Sequence, residues 1–312
     1  MHIPAPVKHV LDWYDGERPG LKANLARLLM HGRLGGSGRL MVLPVDQGFE
    51  HGPARSFGSN PAGFDPAYHF DLAIAAGLSA LAAPLGFLWA CADRYAGAIP
   101  LILKANHADN LEATRNQAVT ASVKDALELG CSAIGYTIYP GSDHQYEMFE
   151  EVRAGIAEAR AVGLPVMIWA YPRGSSISKE GETALDVVSY AAHIAALLGA
   201  HIIKVKPPTD RIEFPDAKPA YAAMGRDFSL LQTRIAHVVE SALAGRRMVI
   251  FSGGPAKTAE DIYADVAGIA AGGGSGSIIG RNSFQRPRDE ALTMLSRIAE
   301  VYLASDKTEQ VR

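Results

Sequence analysis

Short apolar segments alternate with helix-like segments from residue 39 to the end of the 312-residue chain. Uninterrupted apolar runs are typical of strands buried on both faces of a parallel sheet, and the segments between them, such as SVKDALELG, suit crossover helices. The runs are RLMVLPVD (39 to 46), SALAAP (79 to 84), PLILKAN (100 to 106), SAIGYTIY (132 to 139), PVMIWAY (165 to 171), HIIKVK (201 to 206), RMVIFSG (247 to 253) and GSIIG (276 to 280). Eight such repeats predict an α/β fold, a (β/α)₈ TIM barrel.

A doubly wound open sheet is the alternative architecture for a repeat of this kind. It would place a GxGxxG motif directly after the first strand, whereas GGGSG at 272 to 276 precedes a strand, so the barrel is favoured. No Pro/Ser-rich linker or run of charge divides the chain. We therefore predict one barrel over residues 39 to 312 and an N-terminal extension over residues 1 to 38 that packs on it, with a helix around LKANLARLLMHG.

Composition and charge narrow the expected partners. A net charge of -3 without a basic stripe argues against nucleic acid, and the apolar runs are too short to cross a bilayer. Cys91 and Cys131 are too few for a disulfide scaffold, and the first residues lack the apolar core of a signal peptide. We expect a cytoplasmic protein without membrane or nucleic-acid contacts, and we expect a homo-oligomer.

The predicted strands end in polar residues, and barrel enzymes place their chemistry at these carboxyl ends. The loops after strands seven and eight commonly form a phosphate site, for which backbone N–H groups, a hydroxyl and a guanidinium are suitable donors. The chain supplies these donors in two segments, SGG and GR. They comprise Ser252, Gly253, Gly254, Gly280 and Arg281. We therefore predict a phosphorylated ligand.

Lys204 and Lys206 lie two residues apart on strand six, so both point to the same side of it. Burial beside a second cation lowers the pKa of a lysine, and the free amine can attack a carbonyl to form a Schiff base. The spacing leaves open which of the two is the nucleophile. Tyr171 on strand five can carry a proton, and Asp46 on strand one can act on a substrate hydroxyl. Trp169 shares a face with Tyr171 and either walls the pocket or fills the barrel.

Five segments in order resemble the archaeal-type (DhnA-like) class I fructose-bisphosphate aldolases: PVDQGFEHGP, WAYPRG, IIKVK, FSGG and IIGR. The resemblance covers the chain from about residue 39. It implies a barrel that cleaves fructose 1,6-bisphosphate through a lysine imine, with no metal and no cofactor.

The resemblance also assigns roles to residues. It implies that Lys204 is the nucleophile, Tyr171 the proton carrier and Asp46 the third catalytic residue. The SGG and GR segments correspond to the phosphate binders. Lys206 then either tunes Lys204 or contacts the substrate. We include Trp169, Arg173 and Lys206 among the expected substrate-binding residues.

Two departures from the family's commonest pattern concern the predicted mouth. Gln47 stands where many members have histidine, and KPP follows strand six where others have a Tyr/Thr/Gly-containing segment. These changes leave open a related lysine-dependent aldolase or transferase, acting in deoxy-amino sugar acid synthesis or on a phosphorylated signalling molecule.

Two further classes compete with an imine-forming aldolase. A metal-dependent aldolase or isomerase would need ligands from His51, His107 and His144 with Asp46 or Glu50, but these fall on different loops without HxxxH or HxH spacing. A non-catalytic sugar-phosphate binding protein on the same fold is the other class. It would be expected to lose the lysine or the proton carrier, and this chain has both.

Overall fold

The computed structural model describes residues 2–111, 113–253 and 258–309, and its centre is a closed barrel of parallel strands. Each strand pairs with its neighbours in sequence, and the last pairs with the first. The strands are β1 (Leu40–Pro44), β2 (Ala80–Pro84), β3 (Leu101–Lys104), β4 (Ala133–Ile138), β5 (Val166–Ala170), β6 (Ile202–Val205), β7 (Met248–Ser252) and β8 (Gly276–Ile278). The predicted (β/α)₈ barrel and its eight strands are confirmed, although each strand is shorter than the apolar run that predicted it.

Helices precede the barrel and connect its strands. They are α1 (Ala5–Asp12), α2 (Pro19–Leu29), α3 (Gln47–His51), α4 (Pro53–Phe57), α5 (Pro66–Ala75), α6 (Leu85–Trp89), α7 (Val123–Glu128), α8 (Gln145–Ala161), α9 (Leu185–Leu198), α10 (Lys218–Ala223), α11 (Leu231–Ser241), α12 (Ala259–Ala271), α13 (Arg281–Phe284) and α14 (Arg288–Glu309). Four 3₁₀ turns cover Pro61–Phe64, Ala92–Tyr95, Gly181–Thr183 and Pro215–Ala217, and Asn106–His107 pairs with Ala118–Val119 in a short antiparallel ribbon. Within the described ranges, no helix has the length and apolar character needed to span a membrane.

Alternate residues of the barrel strands point inward and outward, as the pleat of a strand requires. One set packs with the surrounding helices and includes Leu43, Ile134 and Ile203. The other set forms a second buried cluster inside the barrel, which includes Ile102, Ile202 and Ile250. Lys104 and Lys204 follow Ile102 and Ile202 by two residues, so both lysines belong to the inward-facing set.

The N-terminal segment packs against the inner cluster of the barrel. Leu21, Leu25 and Leu28 recur at the spacing of one helical face, and all three are buried on α2. Together with Val7 and Val10 of α1 they belong to the same buried cluster as the inward-facing strand residues. The helix expected around LKANLARLLMHG is present as α2, whereas α1 was not foreseen. The division of the chain at residue 38 stays a prediction.

Tyr14 anchors this segment to the base of the barrel. Its hydroxyl donates to the carbonyl of His201 at 2.5 Å and accepts from the Met248 backbone N–H at 3.1 Å. The His201 ring in turn accepts at Nδ1 from the Val166 N–H at 3.0 Å, and its Nε2 lies 3.6 Å from Glu17. One phenol therefore links the extension to the starts of β6 and β7.

We expect Tyr14→Phe to lower the free energy of unfolding by about 1–3 kcal/mol, since buried polar groups of β6 and β7 lose their hydroxyl partner. Urea denaturation followed by far-ultraviolet circular dichroism measures the change. Tyr146→Phe is the matched control because its side chain is 70% exposed. Equal effects of the two substitutions would contradict an anchoring role for Tyr14.

Candidate active site

A cleft of about 390 Å³ opens among the carboxyl ends of the strands and the loops that follow them. Its lining brings together side chains that are far apart in sequence. The predicted site residues among them are Asp46, Trp169, Tyr171, Arg173, Lys204, Lys206, Ser252, Gly253, Gly280 and Arg281. Gly254 lies outside the described residues. The polar strand ends therefore form one site, although their individual roles stay predictions.

Lys204 occupies an inward position on β6, in register with Trp169 of β5, and is only 4% exposed. Its Nζ lies 3.9 Å from the centroid of the Tyr171 ring. Burial lowers the pKa of Lys204 to about 7, Asp46 and Glu50 oppose that shift, and Lys206 and Arg281 add to it. At neutral pH a substantial fraction of this lysine is therefore a free amine facing the cleft.

Lys104 is a second buried lysine, on β3, that the sequence analysis did not select. Its Nζ donates to the carbonyl of Asn106 and to Oδ1 of the same residue at 3.2 Å, and lies 5.5 Å from the centroid of the Trp169 ring. Burial lowers its pKa to about 8, against Asp46 and Glu50, which raise it. Lys104 does not line the cleft, whereas Lys204 does. The sequence did carry a signal for Lys104, because LILK places a lysine directly after a run of apolar strand residues, as IIK does for Lys204.

Asp46 and Glu50 lie one helical turn apart at the start of α3, where the Glu50 N–H donates to the Asp46 carbonyl at 3.3 Å. The pKa of Glu50 is raised to about 7: burial is the largest cause and Asp46 adds to it, while Lys104, Lys204 and Arg173 act in the opposite direction. The sequence analysis considered Glu50 only as a metal ligand. The structure makes it a cleft carboxyl that exchanges its proton near neutrality.

Trp169 forms part of the floor of the cleft and also belongs to the buried cluster inside the barrel, at 1% exposure. It therefore fills the barrel and walls the pocket, which were the two alternatives. A Cβ atom on Gly135 of β4 would overlap the indole ring, so only glycine allows the ring to lie across this strand. Tyr171 follows β5 at the level of the Lys204 amine.

The loops after β7 and β8 approach each other closely. Nδ2 of Asn282 donates to the carbonyl of Gly253 at 3.3 Å. A Cβ atom on Gly280 would lie 2.9 Å from Nε2 of Gln47 and 3.0 Å from the carbonyl oxygen of Pro44, so glycine allows the last loop to meet the first. Arg281 directly follows Gly280, is exposed and lines the cleft.

The three histidines of the metal hypothesis lie in different surroundings. Nε2 of His51 is 3.8 Å from Glu50, His107 shares a 2.8 Å hydrogen bond with Thr120 and stacks on Phe49, and His144 precedes α8. Across residues 2–111, 113–253 and 258–309, no three His, Cys, Asp or Glu side chains group as metal ligands would.

The chain is similar to known proteins in both sequence and fold. The profile of the DeoC/LacD family of aldolases matches residues 40–286. A probable fructose-bisphosphate aldolase class 1 from Chlamydia muridarum (strain MoPn / Nigg) is 37% identical over 90% of this chain and 84% of its own. The fructose-bisphosphate aldolase class 1 of Thermoproteus tenax is 37% identical over 86% of this chain and 92% of its own. The solved structure of an archaeal fructose-1,6-bisphosphate aldolase, with its catalytic lysine covalently bound to the carbinolamine intermediate of the substrate, is 34% identical. It covers 89% of this chain and 98% of its own, with a TM-score of 0.73.

We expect the reaction of Lys204 with cyanate to be half-maximal near pH 7, because its pKa is lowered to about 7. The amine is protonated and unreactive below this pH, and it is free and nucleophilic above it. Peptide mass spectrometry after brief labelling between about pH 5 and pH 10 measures the curve. Lys124, which is exposed on α7, provides the internal comparison. Lys204 labelling that follows Lys124 throughout would contradict the assignment.

Proposed function

Because the chain belongs to the DeoC/LacD family of aldolases, and within it to the archaeal-type class I fructose-bisphosphate aldolases, we propose that it reversibly cleaves fructose 1,6-bisphosphate. The products are dihydroxyacetone phosphate and glyceraldehyde 3-phosphate, and the reaction is that of a lyase. The family resemblance read from the sequence motifs is confirmed. The observation that carries the proposal is a buried lysine, Lys204, that faces a cleft between polar strand ends and whose pKa is lowered to about 7 by burial.

The chemistry begins with attack of the free Lys204 amine on the C2 ketone. The carbinolamine loses water to give an iminium ion, which accepts electrons when the C3–C4 bond breaks. A base removes the proton of the C4 hydroxyl, and glyceraldehyde 3-phosphate leaves. The enamine is then protonated at C3, and hydrolysis releases dihydroxyacetone phosphate and regenerates the amine. The lysine itself supplies the electron sink, so no cofactor takes part.

Tyr171 and Asp46 are proposed as the proton-handling residues. The Tyr171 ring lies beside the Lys204 amine, at 3.9 Å from centroid to Nζ, so its hydroxyl belongs to the same part of the cleft as the carbon next to the imine. Asp46 is buried at the cleft and interacts with Lys204. In this proposal Tyr171 carries the proton to and from C3, and Asp46 acts at the C4 hydroxyl.

The loops after β7 and β8 are proposed to bind the phosphate next to the ketone. They follow β7, which pairs with the Lys204 strand β6, and β8, the next strand around the barrel, and a phosphate on C1 must lie close to the C2 carbon that Lys204 attacks. Their donors are the backbone and side chains of Ser252, Gly253, Gly254, Gly280 and Arg281. Trp169, Arg173 and Lys206 complete the substrate contacts.

The setting of this reaction is part of the same proposal. Reversible cleavage of a hexose bisphosphate is a step of glycolysis and gluconeogenesis. Both free cysteines, Cys91 and Cys131, are buried, as suits a reducing compartment. We therefore propose a cytoplasmic enzyme that acts as a homo-oligomer.

Lys204→Met should abolish covalent trapping of dihydroxyacetone phosphate by borohydride, because a thioether cannot form the imine. Intact-mass and peptide mass spectrometry measure the adduct. Lys104→Met and Lys206→Met are the matched controls, one buried outside the cleft and one at its mouth, and both should still be trapped.

Loss of trapping in Lys206→Met with retention in Lys204→Met would show that the wrong lysine was assigned. No trapping in the wild type would favour the sugar-phosphate binding protein over an aldolase. Trapping of other phosphorylated ketoses in preference to these substrates would instead favour a related lysine-dependent aldolase.

Tyr171→Phe should leave imine formation in place but slow C3 protonation by roughly 10²- to 10⁴-fold, the usual contribution of general acid–base catalysis. Exchange of the C3 proton of dihydroxyacetone phosphate in heavy water, followed by NMR, reports this step. Borohydride trapping of the same variant is the control for imine formation. Exchange at the wild-type rate would mean that another group, with Asp46 first among them, carries the proton.

A further inference from the structure

Glu182 is a buried carboxylate that gathers three cations at the edge of the cleft. Its Oε2 accepts from Nη1 of Arg173 at 2.6 Å and lies 3.6 Å from Nζ of Lys206, and its Oε1 accepts from Nζ of Lys179 at 3.0 Å. Arg173 and Lys206 line the cleft, whereas Lys179 does not and its side chain is 79% exposed. The cluster therefore presents two cations to the cleft and keeps an excess of positive charge.

Hydrogen bonds fix the backbone that carries Glu182. Its own N–H donates to the Ser178 carbonyl at 3.2 Å, and the Thr209 N–H, beyond β6, donates to the Thr183 carbonyl at 2.8 Å. Asp186 accepts from the backbone N–H groups of residues 213 and 214 at 2.9 and 3.0 Å. On the other side of Glu182, the Ser178 N–H donates to Oε1 of Glu213 at 2.9 Å, so the loops that follow β5 and β6 are joined both before and after this residue.

The strand that carries the nucleophile separates this cluster from the loops proposed to bind the first phosphate. β6 lies between β5 and β7 in the barrel, so Arg173 after β5 and Ser252 at the end of β7 lie on the two sides of Lys204. A ketose with phosphates at both ends, bound covalently through its C2 carbon to Lys204, needs an anion receptor on each side. The cations held by Glu182 fit the receptor for the far end.

We infer that Glu182 is a positioning residue that holds Arg173 and Lys206 as a paired receptor for the substrate phosphate remote from the ketone. This inference rests on the proposed aldolase function. Glu182 itself does not touch the phosphate in this arrangement. It fixes the guanidinium and the ammonium group beforehand, so that less side-chain freedom is lost when the phosphate binds.

Glu182 also keeps Lys206 charged. The pKa of Lys206 is lowered to about 8: burial is the largest cause, Arg173 and Lys179 add to it, and Glu182 opposes it. Lys204 lies two residues before Lys206 on the same side of the strand, and the charge of Lys206 lowers the pKa of Lys204. Without the carboxylate the pKa of Lys206 falls, so more of this amine becomes neutral as the pH rises above 7 and its attraction for phosphate is lost.

The test compares two substrates that differ only in the remote phosphate, fructose 1,6-bisphosphate and fructose 1-phosphate. Glu182→Gln should raise KM for the bisphosphate roughly tenfold, as for the loss of one charge-assisted contact, and leave KM for the monophosphate within about twofold. The increase in KM should grow between about pH 6 and pH 8, because the pKa of Lys206 is lower in the variant. Lys179→Gln, which removes the exposed cation on the same carboxylate, is the matched control and should leave both KM values unchanged.

Two further variants extend the test, and the first of them, which leaves Glu182 in place, keeps the inference testable if Glu182→Gln is unstable. Lys206→Gln should reproduce the loss specific to the bisphosphate, and Glu182→Gln with Lys206→Gln should be no worse than the more impaired single variant, because the two residues act as a unit. Equal losses on both substrates, or additive effects in the double variant, would overturn the inference. Failure of the wild type to cleave or trap either sugar would instead overturn the proposed aldolase function and is recognised before any variant is made.

Discussion

Withdrawal of the Lys204 amine from water is the constraint on which the rest of this site depends. An ammonium group at 4% exposure inside a barrel loses most of its hydration, and each pKa unit of the resulting shift is about 1.4 kcal/mol against the charged form. The barrel provides this environment because apolar side chains fill its interior below the amine. Nucleophilicity at neutral pH is therefore a result of packing.

The charged groups at the mouth of the cleft must balance one another without raising the pKa of Lys204, because a higher pKa would return the proton to its amine. Asp46 and Glu50 favour the ammonium form of Lys204, whereas Lys206 and Arg281 disfavour it. Burial and the neighbouring Asp46 raise the pKa of Glu50 to about 7, so part of its negative charge is lost near neutrality. Further out, Glu182 attracts the cations that would otherwise repel one another. The cleft thus has carboxyl groups beside the amine at its centre and cations at its rim, where phosphate is proposed to bind.

Close approach of backbone and side chains gives the cleft its shape. Gly135 leaves room for the indole of Trp169, and Gly280 lets the loop after β8 meet the end of β1. A methyl group at either glycine would push a wall of the site outward. Groups also pack closely at the base of the barrel, where the Tyr14 hydroxyl lies between the starts of β6 and β7.

The eight strands and the barrel could be predicted from the sequence, because strands buried on both faces require uninterrupted apolar runs. Local spacing also predicted that Lys204 and Lys206 share one side of strand six, and the family resemblance favoured Lys204 as the nucleophile. Tertiary structure decided that Lys104, with the same local pattern, lies outside the cleft lining, and that Glu182 meets cations from two loops. It also decided that Tyr14 bonds to His201, 187 residues away. Periodicity determines which way a side chain points, but the groups that surround it come from distant segments, and only the folded chain brings them together.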